Sequence, residues 1–342
     1  MMSTEKRKLE HIRICLEEDV GSRTGGAGFD SYRFRHNALP EIDFAEIDTS
    51  LRWLGRSMRA PLLISSMTGG TEEAWAINRN LAEAAESRGW AMGIGSVRAA
   101  IERPELVRTF RVRDVAPSIP IVANLGAVQL NYGYGAAECR RAAELAEADA
   151  LVLHLNGMQE LFQPEGNTNF KGLLHQIEAL CAQLSIPIGV KEVGWGIDGE
   201  TAKRLADAGV SFLDVAGAGG TSWSQVEKYR TGDPSRKMAA EAFADWGIPT
   251  AVCVTEARAV APNLPLIASG GLATGVDAAK SIALGADIAG FGRSLLGAGV
   301  KSAEEAAARL ERIEFELRAA MFGIGAGKLA ELRGTSRLVS RN

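Results

Sequence analysis

Short apolar runs alternate with amphipathic stretches along most of the chain, beginning near Ala60. Runs of this kind, separated by helical periodicity, are typical of βαβ units and therefore of a parallel sheet. The pattern predicts eight strands, at residues 61–66, 90–94, 120–125, 149–154, 187–192, 211–216, 265–269 and 286–291. Eight strands in this order favour an α/β fold of the (β/α)8 TIM barrel type.

A doubly wound sheet is the alternative fold. It would need a Gly-x-Gly-x-x-Gly turn after the first strand, and Met67-Thr-Gly-Gly70 is not such a turn. Residues 93–98 begin in a similar way but end in Arg98. The barrel is therefore the better interpretation.

Residues 1–59 precede this alternation. Their first part predicts a short helix that places Arg7 and His11 on one face, and the remainder is glycine-rich and poorly periodic. We therefore expect two parts, an N-terminal segment over 1–59 that caps the barrel and contributes to its substrate site, and the barrel itself over 60–342.

Composition excludes several classes of protein. A net charge of −4 and a pI near 5.8 lack the basic footprint of a nucleic-acid-binding protein. The four cysteines show no Cys-x-x-Cys spacing, which argues against a zinc site or a disulfide framework. The amino terminus has no signal-peptide core, and the apolar window 281–300 contains Asp287 and Arg293. We therefore expect a cytoplasmic protein that does not bind membranes.

The fourth predicted strand ends in an unusual group of polar residues. His154, Asn156, Gln159 and Glu160 follow a continuous apolar run. Ligands of barrel proteins bind at the carboxyl ends of the strands. Glu160 offers the oxygen ligand that a hard divalent cation such as Mg²⁺ prefers. With basic groups from elsewhere, the exit would form a cationic pocket suited to a diphosphate, and these groups are Arg7, Lys8, His11 and Arg98.

The last two predicted strands run into glycine-rich turns, Ser269-Gly-Gly271 and Gly290-Phe-Gly-Arg293. Barrel phosphate sites are commonly built at this corner, where glycine lets backbone N–H groups reach the phosphate. Lys191, at the end of the fifth strand, would put a positive charge near the N1 edge of a flavin ring. The two features together indicate bound FMN, with Ser96 and Asn124 at the polar edge of its ring.

Motifs over nearly the whole chain resemble those of the type 2 isopentenyl-diphosphate isomerases, FMN-dependent enzymes of isoprenoid biosynthesis. The run His154-Leu-Asn-x-x-Gln-Glu160, joined to Arg7-Lys8-x-x-His11, is the most particular of them. The others are Met67-Thr-Gly-Gly70, Gly95-Ser-x-Arg98, Asn124-Leu-Gly126, Val190-Lys-Glu-Val-Gly194, Gly219-Gly-Thr-Ser-Trp223 and Ser269-Gly-Gly271.

The resemblance implies an isomerase that interconverts isopentenyl and dimethylallyl diphosphate with reduced FMN, Mg²⁺ and NADPH as the reductant of the flavin. It also implies a homo-oligomer. Glu160 would bind Mg²⁺, and Gln159 would lie beside the alkene as the catalytic residue. The diphosphate would be bound or framed by Arg7, Lys8, His11, Arg98, His154 and Asn156. FMN would be contacted by Ser66, Met67, Thr68, Ser96, Asn124, Lys191, Thr221, Gly270, Gly271, Leu272, Gly292 and Arg293.

Two positions depart from the family pattern. Ala216 stands where many members have serine, and Gly292 stands where they often have alanine. Both would alter details of flavin contact and leave the assignment unchanged. The choice between NADH and NADPH, the oligomeric state and the identity of the proton donor stay open, although reduced FMN is the favoured donor because no side chain is a strong enough acid.

Two other functions compete with this interpretation. An FMN-dependent 2-hydroxy-acid oxidoreductase would need a histidine base after the sixth or seventh strand, but the only histidines are His11, His36, His154 and His175. A non-catalytic flavin or phosphate sensor would keep the glycine-rich corner. It would have no need for Gln159, Glu160 and the basic N-terminal turn together.

Overall fold

The computed structural model describes residues 4–341, and the chain begins with one helix and three short strands. They are α1 (Thr4–Glu17), β1 (Tyr32–Phe34), β2 (Leu51–Trp53) and β3 (Arg56–Met58). Strands β2 and β3 form an antiparallel hairpin. The predicted N-terminal helix is therefore present, and the segment behind it also contains a hairpin that the glycine-rich pattern did not reveal.

Eight parallel strands then close into a barrel. They are β4 (Leu62–Ile64), β5 (Ala91–Ser96), β6 (Ile121–Gly126), β7 (Ala150–His154), β8 (Ile188–Lys191), β9 (Phe212–Asp214), β10 (Leu266–Ala268) and β11 (Ile288–Phe291). Each strand pairs with the next one in the chain, and β11 pairs with β4 to close the ring. The predicted (β/α)8 barrel is confirmed by this closed ring of eight strands. Each predicted strand also begins and ends within two residues of the observed one.

Helices cover the outside of the barrel. The helices after α1 are α2 (Glu72–Arg88), α3 (Arg98–Glu102), α4 (Ala136–Leu145), α5 (Gly157–Phe162), α6 (Leu173–Gln183), α7 (Gly199–Asp207), α8 (Trp223–Arg230), α9 (Pro234–Glu241), α10 (Thr250–Val260), α11 (Gly275–Ala283), α12 (Arg293–Lys301), α13 (Ala303–Ile324) and α14 (Leu329–Leu332). Short 3-10 helices lie at Phe29–Ser31, Phe44–Glu46, Pro104–Phe110 and Ala127–Tyr132. A final strand, β12 (Leu338–Ser340), pairs with β1.

Local sequence sets where these helices begin and end. Thr71 caps α2 by accepting a hydrogen bond from Ala74 N at 3.0 Å, and Gly89 ends the helix in the left-handed region with φ 70°. Thr274 and Asp277 form a reciprocal capping box at the start of α11. These caps fix the points at which the neighbouring loops begin or end. The loops that follow the barrel strands lie at the carboxyl ends of those strands.

The amino-terminal end of the barrel is closed by side chains. Trp53 and Met58, from the β2–β3 hairpin, pack with inward-facing apolar residues of the barrel strands. The ring of Trp53 meets that of Phe212 edge to face, with 5.3 Å between the centroids. The hairpin therefore fills the end of the barrel opposite the ligand-binding end.

The N-terminal segment also covers the ligand-binding end. Ser22 N donates to Gly220 O and Ser222 N donates to Val20 O, both at 2.8 Å, so the chain after α1 lies against the exit of β9. The segment thus contacts both ends of the barrel, and the boundary between residues 59 and 60 stays a prediction. Among residues 4–341, no helix is long and apolar enough to cross a bilayer.

Candidate active site

A cavity of about 550 Å³ lies at the carboxyl ends of the barrel strands. It is lined by strand exits all around the barrel and by one face of α1. Every site residue predicted from the sequence lines it, namely Arg7, Lys8, His11, Ser66, Met67, Thr68, Ser96, Arg98, Asn124, His154, Asn156, Gln159, Glu160, Lys191, Thr221, Gly270, Gly271, Leu272, Gly292 and Arg293. The structure therefore brings together residues from almost the whole length of the chain.

Glu160 is the sole carboxylic acid that lines the cavity within the described part of the chain. Helix α5 begins directly after β7 and carries Gln159 and Glu160 on its first turn. Asn156 Nδ2 donates to Glu160 Oε1 at 2.9 Å and lies 3.3 Å from Gln159 Oε1. Glu160 Oε2 accepts the backbone N–H of Asn167 at 2.5 Å. The carboxylate is therefore held in one orientation from both sides.

Asn156 leaves one polar atom without a partner. Its side chain is 3% exposed, yet Oδ1 is buried with no hydrogen bond. A buried unsatisfied oxygen is costly, so its position beside a carboxylate is typical of a site that receives a ligand. An amide oxygen and a carboxylate fit a hard divalent cation. In the described residues, no three or more His, Cys, Asp or Glu side chains are grouped so that they could hold a metal ion, so substrate oxygens and water would complete the shell of a cation bound here.

His154 is neutral at this site. Its Nδ1 lies 2.7 Å from Asn124 Oδ1. Burial, helped by the charge of Lys191, lowers the pKa of His154 to about 3. This residue can therefore contact an anionic ligand by hydrogen bonding but not by charge.

Helix α1 presents Lys8 and His11 to the cavity. Lys8 Nζ donates to Ser96 O at 3.3 Å and lies 4.9 Å from the centre of the Phe110 ring. Burial, with smaller contributions from nearby arginines, lowers the pKa of Lys8 to about 7. Burial also lowers the pKa of His11. Both groups therefore hold their protons less tightly than free side chains do.

His11 is positioned by residues that the sequence analysis missed. Its Nε2 lies 2.9 Å from Glu227 Oε1, and its ring meets Trp223 edge to face at 5.1 Å. Arg230 Nη1 donates to Glu227 Oε2, and Arg230 also pairs with Glu10 at 3.2 Å. Glu227 and Arg230 have the spacing of a helical ion pair, but no sequence signal indicates that they contact a residue near the amino terminus.

The two predicted arginines of the diphosphate pocket are ordered by Glu102 at the end of α3 and by residues of the loop after α5. Arg98 Nε donates to Glu102 Oε1 at 2.6 Å, and Nη1 donates to Asn167 Oδ1 at 3.4 Å. Arg7 Nη1 lies 3.7 Å from Glu165 Oε1. The turn after α5 therefore connects the arginines with Glu160, a link that sequence spacing did not predict.

Lys191 lies at the end of β8, as predicted, and is 8% exposed. Its Nζ donates to Glu192 O. The side chain of Glu192 turns away from the lysine, because Oε2 accepts the backbone N–H groups of Val193 (2.6 Å), Gly194 (2.7 Å) and Trp195 (2.6 Å). Glu192 therefore shapes the loop after β8 instead of forming an ion pair with its neighbour.

The glycine-rich corner forms a narrow cradle. A Cβ atom on Gly270 would lie 2.1 Å from Gly217 O, and one on Gly271 would lie 2.6 Å from Gly219 C. Their φ angles are 102° and 81°, which L side chains rarely adopt. Helix α12 begins at Arg293 beside this cradle and adds free N–H groups. These features fit a phosphate of a bound nucleotide such as FMN.

Comparison with known proteins defines the class of the chain. The profile described as FMN-dependent dehydrogenase matches residues 2–109 and 133–339. A mandelate oxidase variant with benzaldehyde superimposes with a TM-score of 0.68 at 20% identity, over 97% of this chain and 94% of that one. A flavocytochrome b2 variant gives 0.67 at 19% identity, over 96% and 82%. These structures share the fold, and with the profile they define an FMN-dependent α/β barrel protein.

Curated relatives narrow the class. The isopentenyl-diphosphate delta-isomerase of Oceanobacillus iheyensis is 54% identical over 97% of this chain and 95% of that protein. The isopentenyl-diphosphate delta-isomerase of Nostoc sp. is 51% identical over 98% and 96%. The chain therefore belongs to the isopentenyl-diphosphate delta-isomerases within the FMN-dependent dehydrogenase family. The resemblance seen in the motifs is thereby confirmed.

Proposed function

We propose that this protein interconverts isopentenyl diphosphate and dimethylallyl diphosphate, using reduced FMN and Mg²⁺. The observation that carries the proposal is the position of Glu160, the lone acid lining a cavity otherwise rich in arginine, lysine and glycine. Beside it, Asn156 Oδ1 is buried without a partner. A divalent cation between these oxygens and a diphosphate would satisfy both groups.

The cavity residues divide into three groups in this proposal. Glu160 would hold Mg²⁺, and Arg7, Lys8, His11, Arg98, His154 and Asn156 would bind the diphosphate. FMN would be held by Ser66, Met67, Thr68, Ser96, Asn124, Lys191, Thr221, Gly270, Gly271, Leu272, Gly292 and Arg293. Bound in its reduced form, FMN would supply an acidic N–H group and an electron-rich ring.

The protein's own groups would bind and orient the substrate. Glu160 accepts hydrogen bonds from Asn156 and Asn167, which would orient its oxygens toward a metal ion. His154 is neutral and weakly basic. Neither group is a strong acid poised to protonate an unactivated alkene. Gln159, adjacent to the metal-binding carboxylate, would contact the alkene and exclude water from it.

The histidines argue against a 2-hydroxy-acid oxidoreductase. His36 and His175 are exposed, and neither lines the cavity. The cavity histidines, His11 and His154, come from α1 and β7. A base at the exit of β9 or β10, which that reaction would need, is absent from the sequence.

The decisive experiment uses the purified protein. We expect a yellow protein with a flavin spectrum that bleaches with NADPH, and then conversion of isopentenyl diphosphate without stoichiometric consumption of NADPH. Net oxidation of a 2-hydroxy acid would overturn the proposal in favour of an oxidoreductase. A colourless protein with no affinity for FMN would overturn it entirely.

Replacing Gln159 tests the predicted catalytic residue. Gln159→Ala should lower kcat by about tenfold to a hundredfold, because a positioned group in contact with the reacting atoms is lost. Gln183→Ala, at the exposed end of α6, is the matched control and should not change kcat. Unchanged turnover of Gln159→Ala would show that the assigned role is wrong.

NADPH as the reductant, a homo-oligomeric state and a cytoplasmic location also belong to this proposal. They rest on the family resemblance and on composition. Reduction rates with NADH and NADPH, and the mass in solution by light scattering, would test the first two.

A further inference from the structure

A second, smaller cavity lies inside the barrel below the main site. Its volume is about 10 Å³, close to the space that one water molecule needs. Apolar side chains such as Trp53, Val122 and Phe212 form part of its wall, and Ser65, Ser66, Lys191 and Asp214 provide its polar groups. Ser65, Ser66 and Lys191 also line the main cavity. The two spaces therefore share the lysine that faces the cofactor site.

One polar atom of this small cavity is unsatisfied. Ser65 is 9% exposed, and its Oγ is buried with no hydrogen-bond partner. A hydroxyl in this position needs a partner, because an unpaired buried polar group is destabilising. The adjacent space can hold one water molecule, which could bond to the hydroxyl and to further polar groups.

Asp214 is a buried acid that no step described above uses. It is 3% exposed and pairs across the sheet with Lys191, the two Cα atoms being partners in the β8–β9 ladder. Its Oδ1 accepts Ser269 Oγ at 2.6 Å and Ala216 N at 3.2 Å. Burial raises the pKa of Asp214, while the charge of Lys191 and the hydrogen bonds from Ser269 Oγ and Ala216 N oppose that rise and favour the carboxylate. Asp214 and Lys191 are therefore neighbouring acidic and basic groups that both line the small cavity.

We propose that Ser65, Asp214 and Lys191 bind one buried water molecule, and that Asp214 sets the positive potential which Lys191 presents to the cofactor ring. Asp214 is a positioning residue in this sense, since it acts through the lysine and does not line the main cavity. The inference rests on the binding of FMN in the proposed function. In that function, Asp214 would reduce the stabilisation that Lys191 gives to the reduced, anionic flavin.

The water itself can be tested on the unaltered protein. A crystal structure of the holoenzyme at a resolution that shows waters should contain one within hydrogen-bond distance of Ser65 Oγ, Asp214 and Lys191. Ser65→Ala should lower Tm, because the water loses a partner. An empty cavity, or a Tm that stays the same or rises, would overturn the bridging water.

The charge effect is tested by Asp214→Asn, which keeps the shape and removes the charge. The variant should raise the affinity for reduced FMN relative to oxidised FMN at least tenfold, a rise in the two-electron potential of about 30 mV. Spectroscopic titration of the bound flavin against a reference dye measures this ratio without turnover.

The matched control is Asp149→Asn, at the amino-terminal end of the barrel, where Asp149 accepts from Arg56 and Arg113. It should leave the flavin potential unchanged even if it lowers Tm. FMN binding with an unchanged ratio in Asp214→Asn would overturn the role of Asp214 alone. Failure of the unaltered protein to bind FMN would overturn the proposed function, and the role of Asp214 with it. If Asp214→Asn does not fold, Asp214→Ser, which also removes the charge, should shift the ratio in the same direction.

Discussion

The two ends of the barrel hold carboxylates of opposite character, Asp149 being partly buried and Glu160 buried. At the amino-terminal end, both oxygens of Asp149 are paired, accepting Arg56 Nε at 2.6 Å, Arg113 Nη2 at 2.8 Å and Ile121 N at 2.8 Å. At the carboxyl end, Glu160 is oriented by amides, has no cationic partner among residues 6–341 and lies beside the unpaired Oδ1 of Asn156.

The difference separates stability from function. A fully paired carboxylate at a joint between a helix and a strand stabilises the fold and has nothing left to offer a ligand. A carboxylate without a counter-ion, next to an unsatisfied oxygen, can bind a cation, because the cation would interact favourably with both groups. The pairing of a charge, more than its burial, therefore indicates which end of this barrel binds ligands.

Removing the paired acid should have the largest effect. Asp149→Ala leaves Arg113, whose side chain is 14% exposed, without its partner. The free energy of unfolding should fall by about 3 kcal/mol, as for other broken buried pairs. Urea denaturation measures the loss. The affinity for FMN, measured below the transition, should not change, and a selective loss of FMN affinity with intact stability would contradict the comparison.

Removing the unpaired acid should affect metal use and leave the fold intact. Glu160→Gln should raise the Mg²⁺ concentration needed for half-maximal turnover by about a hundredfold. Loss of a group that only orients a metal ligand weakens metal binding by about tenfold to a hundredfold, and loss of the ligand itself should have at least as large an effect. Its free energy of unfolding should change by less than about 1 kcal/mol, because no ion pair is broken. The control is Glu86→Gln, which lies at the other end and accepts from Ser118. An unchanged Mg²⁺ requirement in Glu160→Gln would remove Glu160 as the ligand.

The lowered pKa of Lys8 predicts a smaller, pH-dependent effect. In the free protein, Lys8 loses its proton as the pH rises through about 7. Above that pH, Lys8 must take up a proton again before its ammonium group can pair with a bound diphosphate. The affinity for inorganic diphosphate, with Mg²⁺ present, should therefore fall about fivefold between pH 7 and pH 8. The other charged groups that act on Lys8 are Arg7, Arg103 and Glu102. Isothermal titration of Lys8→Met should give a flatter pH profile, and equal slopes for the two proteins would refute the role of Lys8.

An exposed ion pair should contribute least. Lys203 and Asp207 form an i,i+4 pair on α7, with side chains 53% and 61% exposed. Asp207→Ala should lower the free energy of unfolding by about 0.3–0.5 kcal/mol, and less at high salt. A loss comparable with that of Asp149→Ala would show that burial does not explain why the pairs of Asp149 with Arg56 and Arg113 stabilise the protein more than an exposed pair.

The fold and most of the cavity lining could be predicted from the sequence. Each barrel strand is a short apolar run, because it is buried on both faces, and such runs are visible without a structure. The polar residues at strand exits follow from the same reasoning, since the carboxyl ends of all eight strands meet at one end of the barrel. His154, Lys191 and Gly270 were located in this way.

Other contacts could not be predicted, because they depend on distances across the fold. The pairing of His11 with Glu227 joins α1 to α8, and neither local spacing nor composition encodes it. The loop-capping role of Glu192 was missed because its hydrogen-bond partners are backbone N–H groups, which carry no signature in the sequence. The hairpin that carries Trp53 lies in a glycine-rich segment without periodicity.

The sequence by itself determined the barrel, the family and the residue types of the site, because periodicity and motifs are local properties of the chain. Only the tertiary structure decided which charges are paired and which are not. Burial and long-range contacts make His154 neutral, bring the pKa of Lys8 to about 7 and leave Asn156 Oδ1 without a partner. These quantities depend on what lies around each group, and the neighbours come from distant parts of the chain.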